Sequence, residues 1–139
     1  MTVLRRAGLG FVFLWFLSGG IAHFAFTEVE MRIVPPWLAW HRTVVLVSGG
    51  FELLGAAGLI PASTRRMAGI GLCALTIAVT PANIYMLQRP DLFGIPYWLL
   101  VVRLPLQLAL LALIVWCTVL VSSRTSSTHQ SAAAAPRGS

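Results

Sequence analysis

This chain has little charge. Only 10% of its 139 residues are charged while 58% are apolar, against about 25% charged in an ordinary soluble domain. With a mean hydropathy of +0.84, it has too few polar side chains to cover so small a body, so its apolar surface must face lipid. That excludes a soluble globule. Lysine is absent, the ten basic residues are all Arg, and only four residues are acidic. The pI of about 11.1 does not indicate a nucleic-acid partner, because arginines scattered between apolar runs form no continuous stripe for a phosphate backbone. Cysteine is scarce: Cys73 and Cys117 stand alone with no C-x-x-C and read as small hydrophobes facing lipid or core. The sequence also lacks a nucleotide-binding glycine motif, a zincin motif, a nucleophile elbow and any repeat of about 20 to 50 residues.

The apolar runs are Ala7 to Phe26, Val44 to Ile60, Met67 to Leu87 and Tyr97 to Val121. Each is near the roughly 20 residues that cross a hydrocarbon core as a helix. The expected fold is all-α: an integral membrane four-helix bundle over residues 1–121, followed by a disordered Ser-, Thr- and Ala-rich tail over 122–139. Arg5, Arg6, Gly20, Ile21 and Ala22 also read as a secretory signal with its cleavage site. The apolar run continues through Phe26, however, and favours a retained helix.

Arginine placement sets the expected orientation. One side collects Arg5, Arg6, Arg65, Arg66, Arg124 and Arg137 with no acid. On the other, Arg32, Arg42 and Arg89 are balanced by Glu28, Glu30 and Asp91. Both termini are therefore expected in the cytoplasm, in a multi-pass protein of the inner (cytoplasmic) membrane. Trp37, Trp40, Tyr97 and Trp98 then gather at the outer boundary, where amphipathic rings prefer to sit.

Two charges fall inside the spans, Glu52 and Arg103, and charge in hydrocarbon is costly enough to mark a functional site by default. Counting helical rise from the outer ends puts Glu52 roughly 12 Å deep, Arg103 roughly 9 Å, His23 roughly 5 Å, Asn83 roughly 6 Å and Gln107 roughly 15 Å. All four helices thus feed one polar layer in the outer half. Small and hydroxyl residues share these faces: Gly19, Gly20, Ser48, Gly49, Gly55, Thr76 and Thr80. They allow close helix approach and cross-helix hydrogen bonds. Pro81 and Pro105 each free a carbonyl one turn back, at Ile77 and Val101, which needs another donor. Two readings of the layer follow. Glu52 and Arg103 form a buried ion pair that fixes helix packing, or the layer is a ligand or proton site with a mouth. The segments Val34 to Trp37 and Pro90 to Pro96 are placed to shape a mouth. His41 and Arg42 either line it or anchor the second helix. No metal site is expected, since His23, His41 and Glu52 lack a ligand spacing. A haem is not expected either, with only His23 inside a span.

His23-Phe24, Val34-Pro35-Pro36-Trp37, Gly50-Phe51-Glu52-x-x-Gly55 with Leu59-Ile60-Pro61, Pro81-Ala82-Asn83-Ile84-Tyr85-Met86 and Arg103-Leu104-Pro105-Leu106-Gln107 together resemble the DoxX-like small membrane proteins over about residues 8 to 118. The resemblance implies four helices and an association with redox or thiol-stress systems, including a relative of the membrane subunit of a thiosulfate:quinone oxidoreductase. It assigns no catalytic role to individual residues.

The leading expectation is a redox-linked membrane subunit that binds a quinone-like or other small polar-headed molecule. Arg103, Asn83 and Gln107 would donate hydrogen bonds to it, and His23 or Glu52 would exchange protons. No cofactor motif is evident, so electrons would come from a redox partner protein. The alternatives are a small proton-coupled transporter, which with four helices needs a homo-oligomer, and a structural or assembly subunit of a membrane complex.

Overall fold

In the computed structural model, which describes residues 1–120, the chain is helical, with no strand among the described residues. The tail from Ser122 lies outside them. Four stretches are long and apolar enough to cross a membrane: Val3–Ala25, His41–Leu59, Arg65–Gln88 and Tyr97–Leu120. The first is α1 (Val3–Ala25), capped by the Thr2 hydroxyl accepting from the Arg5 amide. The second is α3 (His41–Leu59).

The connection between these two helices contains a short helix that its sequence does not announce, α2 (Thr27–Met31). Phe26 leaves helical geometry at φ −124° and ψ 35°. The Thr27 hydroxyl then folds back to the carbonyls of His23 and Phe24, at 2.7 and 3.2 Å. These bonds occupy carbonyls that the end of α1 leaves free and turn the chain into α2. Further on, His41 Nε2 meets the Pro35 carbonyl at 3.2 Å, tying the Pro-rich loop to the head of α3.

The third span, expected as one helix, is two: α4 (Arg65–Ala78) and α5 (Thr80–Gln88), joined at Val79. Pro81 is the cause, because it has no N–H to donate one turn back and its ring crowds the carbonyl there. The fourth span is α6 (Tyr97–Ile114), which carries Pro105 without breaking. It ends in a π-helical turn over Val115–Leu120.

The arginines at the end of the bundle that holds Arg5 and Cys117 cap helices as well as carrying charge. Arg5 Nε donates to the Cys117 carbonyl at 2.9 Å. Arg65 donates to the carbonyls of Leu59 and Ile60, each at 2.9 Å. Guanidinium groups are favoured there because helix C-termini present unpaired carbonyls and partial negative charge.

The main apolar core lies in that same half, built from Leu9, Val12 and Phe16 of α1, Ala56 and Leu59 of α3, Leu72 of α4, and Leu110, Ile114 and Cys117. Cys73 packs against it and both cysteines are free. Small residues set the helix spacings. A methyl group on Gly69 would collide with the Thr118 side chain, and one on Gly20 would meet Leu53 at 2.8 Å and the Gly49 carbonyl at 3.1 Å. α1 packs on α3 and α3 on α4 along most of their lengths, whereas α5 rests on α6 and is nearly free of α1 and α3. The bundle is therefore closed at the end with Arg5 and Cys117 and splayed at the end with α2.

Gly20→Ala is expected to cost about 1 to 3 kcal/mol by overpacking the α1–α3 crossing. Gly50→Ala, whose methyl meets open space, should not lower stability. Reversible unfolding in mixed micelles distinguishes the two, and equal losses would refute this account of the seam.

Candidate functional site

The splayed half encloses a cavity of about 890 Å³. Its walls include Trp15 and Gly19 of α1, Val45 and Ser48 of α3, Thr76 of α4, and Leu99 and Leu106 of α6. The loop residues Val34, Pro35 and Trp37 and the later residue Ile95 also line it, so both loop segments reach the cavity. His23, Glu52, Asn83, Arg103 and Gln107 all line this one cavity. His41 and Arg42 do not. His41 is taken up by the Pro35 carbonyl and Arg42 is exposed, as expected of residues that anchor the helix.

The ion pair that one of the two readings places between Glu52 and Arg103 is not formed. Glu52 Oε1 instead lies 3.5 Å from His23 Nε2. Glu52 Oε2 is buried with no hydrogen-bond partner among the described residues. Arg103 reaches only the Met86 sulfur, at 3.6 Å, and meets no carboxylate among the described residues. The physical reason is rotational. Depth counted along the helices puts both charges in one layer, but α3 packs on α1 and α4 and not on α6, so the cavity separates them.

The seam between α1 and α3 explains why His23 is the partner. A methyl on Gly49 would lie 2.6 Å from His23 Cβ, and one on Gly19 would strike the Glu52 carboxylate. Glycine at these two positions leaves the room that the imidazole and the carboxylate occupy. A second carboxylate, Glu30 of α2, stands 3.9 Å from the other ring nitrogen, Nδ1. That nitrogen is itself buried without a hydrogen bond. Glu30 counted in the sequence only toward orientation. Its place at the site depends on the turn at Phe26, which no sequence pattern marks.

Across the cavity, Gln107 has a different task from the one expected. Its Nε2 donates to the Thr76 carbonyl and the Thr80 hydroxyl, both at 2.7 Å, and its Oε1 accepts from Asn83 Nδ2 at 2.6 Å. Both amide hydrogens are therefore spent on the break between α4 and α5, and Gln107 has none left for a ligand. The carbonyl it caps is that of Thr76 and not of Ile77, because the Val79 N–H already turns back onto the Leu75 and Ile77 carbonyls. Asn83 retains its carbonyl oxygen and one amide hydrogen. The site thus has two walls of different character. The α1–α3 side bears an imidazole between two carboxylates, and the α5–α6 side bears a guanidinium free of carboxylates and an amide braced by Gln107.

A family model described as Domain of unknown function (DUF8561) matches residues 12–120. No curated protein and no solved structure matches the chain.

Asn83 and Gln107 should be energetically coupled. Gln107→Ala alone is expected to cost about 2 kcal/mol because it removes hydrogen bonds to three polar partners that are buried or half-buried. A double-mutant cycle with Asn83→Ala should return about 0.5 to 1.5 kcal/mol of coupling, the range for polar pairs between membrane helices. Purely additive effects in mixed-micelle unfolding would contradict the bracing role.

Proposed function

The chain belongs to the DUF8561 family, a membership that assigns no activity, and we propose that its intramembrane cavity binds a small molecule with an oxygen-bearing head and an apolar body, of the quinone class. The observation that carries this reading is Arg103, a guanidinium in the cavity wall with no carboxylate among the described residues to neutralise it. Keeping an unpaired charge inside a membrane is expensive, and a ligand oxygen would offset that cost. The volume of about 890 Å³ lies in the range of small-molecule sites. Trp15, Phe16, Leu99 and Leu106 provide apolar walls for a ring and the start of a tail.

The residues divide the work by chemistry. Arg103 and the remaining N–H of Asn83 donate to head-group oxygens. Gln107 holds Asn83 and the helix break in place. His23 and Glu52, on the opposite wall, give or take protons as the charge of the ligand changes. A quinone would supply two-electron chemistry with its attendant proton exchange, and electrons would come from a partner protein, because the chain carries no cofactor motif. The resemblance to DoxX-like proteins supports the same redox-linked reading. Two observations weigh against the alternatives. The core from Leu9 to Cys117 closes the end with Arg5 and Cys117, which disfavours a conduit. The separation of Glu52 from Arg103 disfavours a role limited to a packed ion pair. The arginine imbalance supports cytoplasmic termini in an inner membrane.

Trp15 and Trp37 line the cavity and act as built-in reporters. Decylubiquinone or a menaquinone analogue added to the protein in nanodiscs is expected to quench tryptophan fluorescence saturably, with Kd raised about tenfold or more in Arg103→Gln through loss of a charge-assisted hydrogen bond. Quenching that does not saturate in the unaltered protein, or that ignores Arg103→Gln, would refute the proposal.

A further inference from the structure

We infer that Glu30 is the proton entry of the cavity, relaying protons from the boundary at α2 through His23 to Glu52. This rests on the reading of the cavity as a proton-exchanging site and adds to it a residue and a direction. Three groups from three elements stand in line. Glu30 of α2 lies 3.9 Å from His23 Nδ1, and His23 Nε2 of α1 lies 3.5 Å from Glu52 Oε1 of α3. Side-chain exposure falls along the same line, from 28% at Glu30 to 17% at His23 and 13% at Glu52. Glu30 sits just beyond the end of the first membrane-crossing helix and also touches the cavity. It is therefore the one carboxylate among the described residues that combines a place at the boundary with contact to the site.

Imidazole suits the middle position because it accepts on one nitrogen and releases from the other. The Glu30 carboxyl gives its proton to Nδ1 of a neutral His23 that carries hydrogen on Nε2. The imidazolium then passes the Nε2 proton to Glu52 Oε1. His23 is left as its Nδ1–H tautomer, to be reset by ring rotation or exchange. One proton enters, one reaches Glu52, and no electron moves. Both gaps exceed a hydrogen bond, the first by more. Glu30, on a five-residue helix with part of its side chain exposed, has the freedom to close the wider one by rotation. The other charge facing this space is Arg103 of α6, across the cavity.

The relay is testable without a ligand or electron donor. The full chain is placed in phosphatidylcholine nanodiscs on an infrared cell, and bulk pH is stepped. The Glu52 carboxyl band, assigned by its absence in Glu52→Gln, should follow the step in the unaltered protein. It should lag by about tenfold or more in Glu30→Gln, recover in Glu30→Asp and lag again in His23→Gln. The His23 variant interrupts the same line should Glu30→Gln fail to fold. A Glu52 band that follows the step equally fast without Glu30, or that never responds to bulk pH, overturns the relay. Because no quinone is present, failure of quinone binding would sink only the ligand reading, and an unchanged exchange rate would sink only the relay.

Discussion

The contact of His23 with Glu52 across the α1–α3 seam organises the site, and it depends on glycine. Gly49 leaves space for the His23 Cβ, Gly19 for the Glu52 carboxylate, and Gly20 lets the backbone of α1 approach the Gly49 carbonyl. Side chains at these positions would push the helices apart and leave a carboxylate alone in an apolar medium, where an unpaired charge costs several kcal/mol. The same approach carries α2 and Glu30 over the end of the seam. In this half of the molecule, polarity is admitted only where small residues bring its partners within reach.

The opposite wall is organised by a broken helix. Pro81 ends the α4 ladder, α5 begins beyond Val79, and Gln107 restores hydrogen bonding by reaching the Thr76 carbonyl, the Thr80 hydroxyl and the Asn83 amide together. A break in a membrane helix is tolerable only if the freed polar groups are satisfied within the protein, and one glutamine does most of that here. As a result α5 stays with α6 and away from α1 and α3, and the space between the two pairs is the cavity. The tight core at the end with Arg5 and Cys117 resists closing this space, since Phe16, Leu110 and Ile114 hold the helices at a fixed spacing just below it.

Much of this was legible in the sequence. The four spans follow from run length, and membership of the polar layer follows from depth, so His23, Glu52, Asn83, Arg103 and Gln107 were all found as lining residues. Partner choice was not legible. Arg103 and Glu52 share a depth, but depth is one coordinate and pairing needs three. Whether α3 faces α1 or α6 is decided by the packing of Gly20, Gly49 and Leu53. Gln107 was read as a donor to a ligand because the sequence shows its chemistry and not its occupancy. Glu30 reads in the sequence as an orientation charge because only the fold of Thr27 onto the carbonyls of His23 and Phe24 brings it inward, and a hydroxyl directly after an apolar run has no distinguishing pattern.

The sequence by itself determined the solvent of this protein, the number of its membrane crossings and the depth at which its polar groups lie, because those properties are sums over composition and run length along a helix of constant rise. Only the tertiary structure decided that the intramembrane charges face each other across a cavity, that histidine is the partner of Glu52, and that Glu30 reaches the site. Those outcomes depend on how helices are rotated and where one is broken, which close contacts between side chains on different helices settle and no single helix encodes.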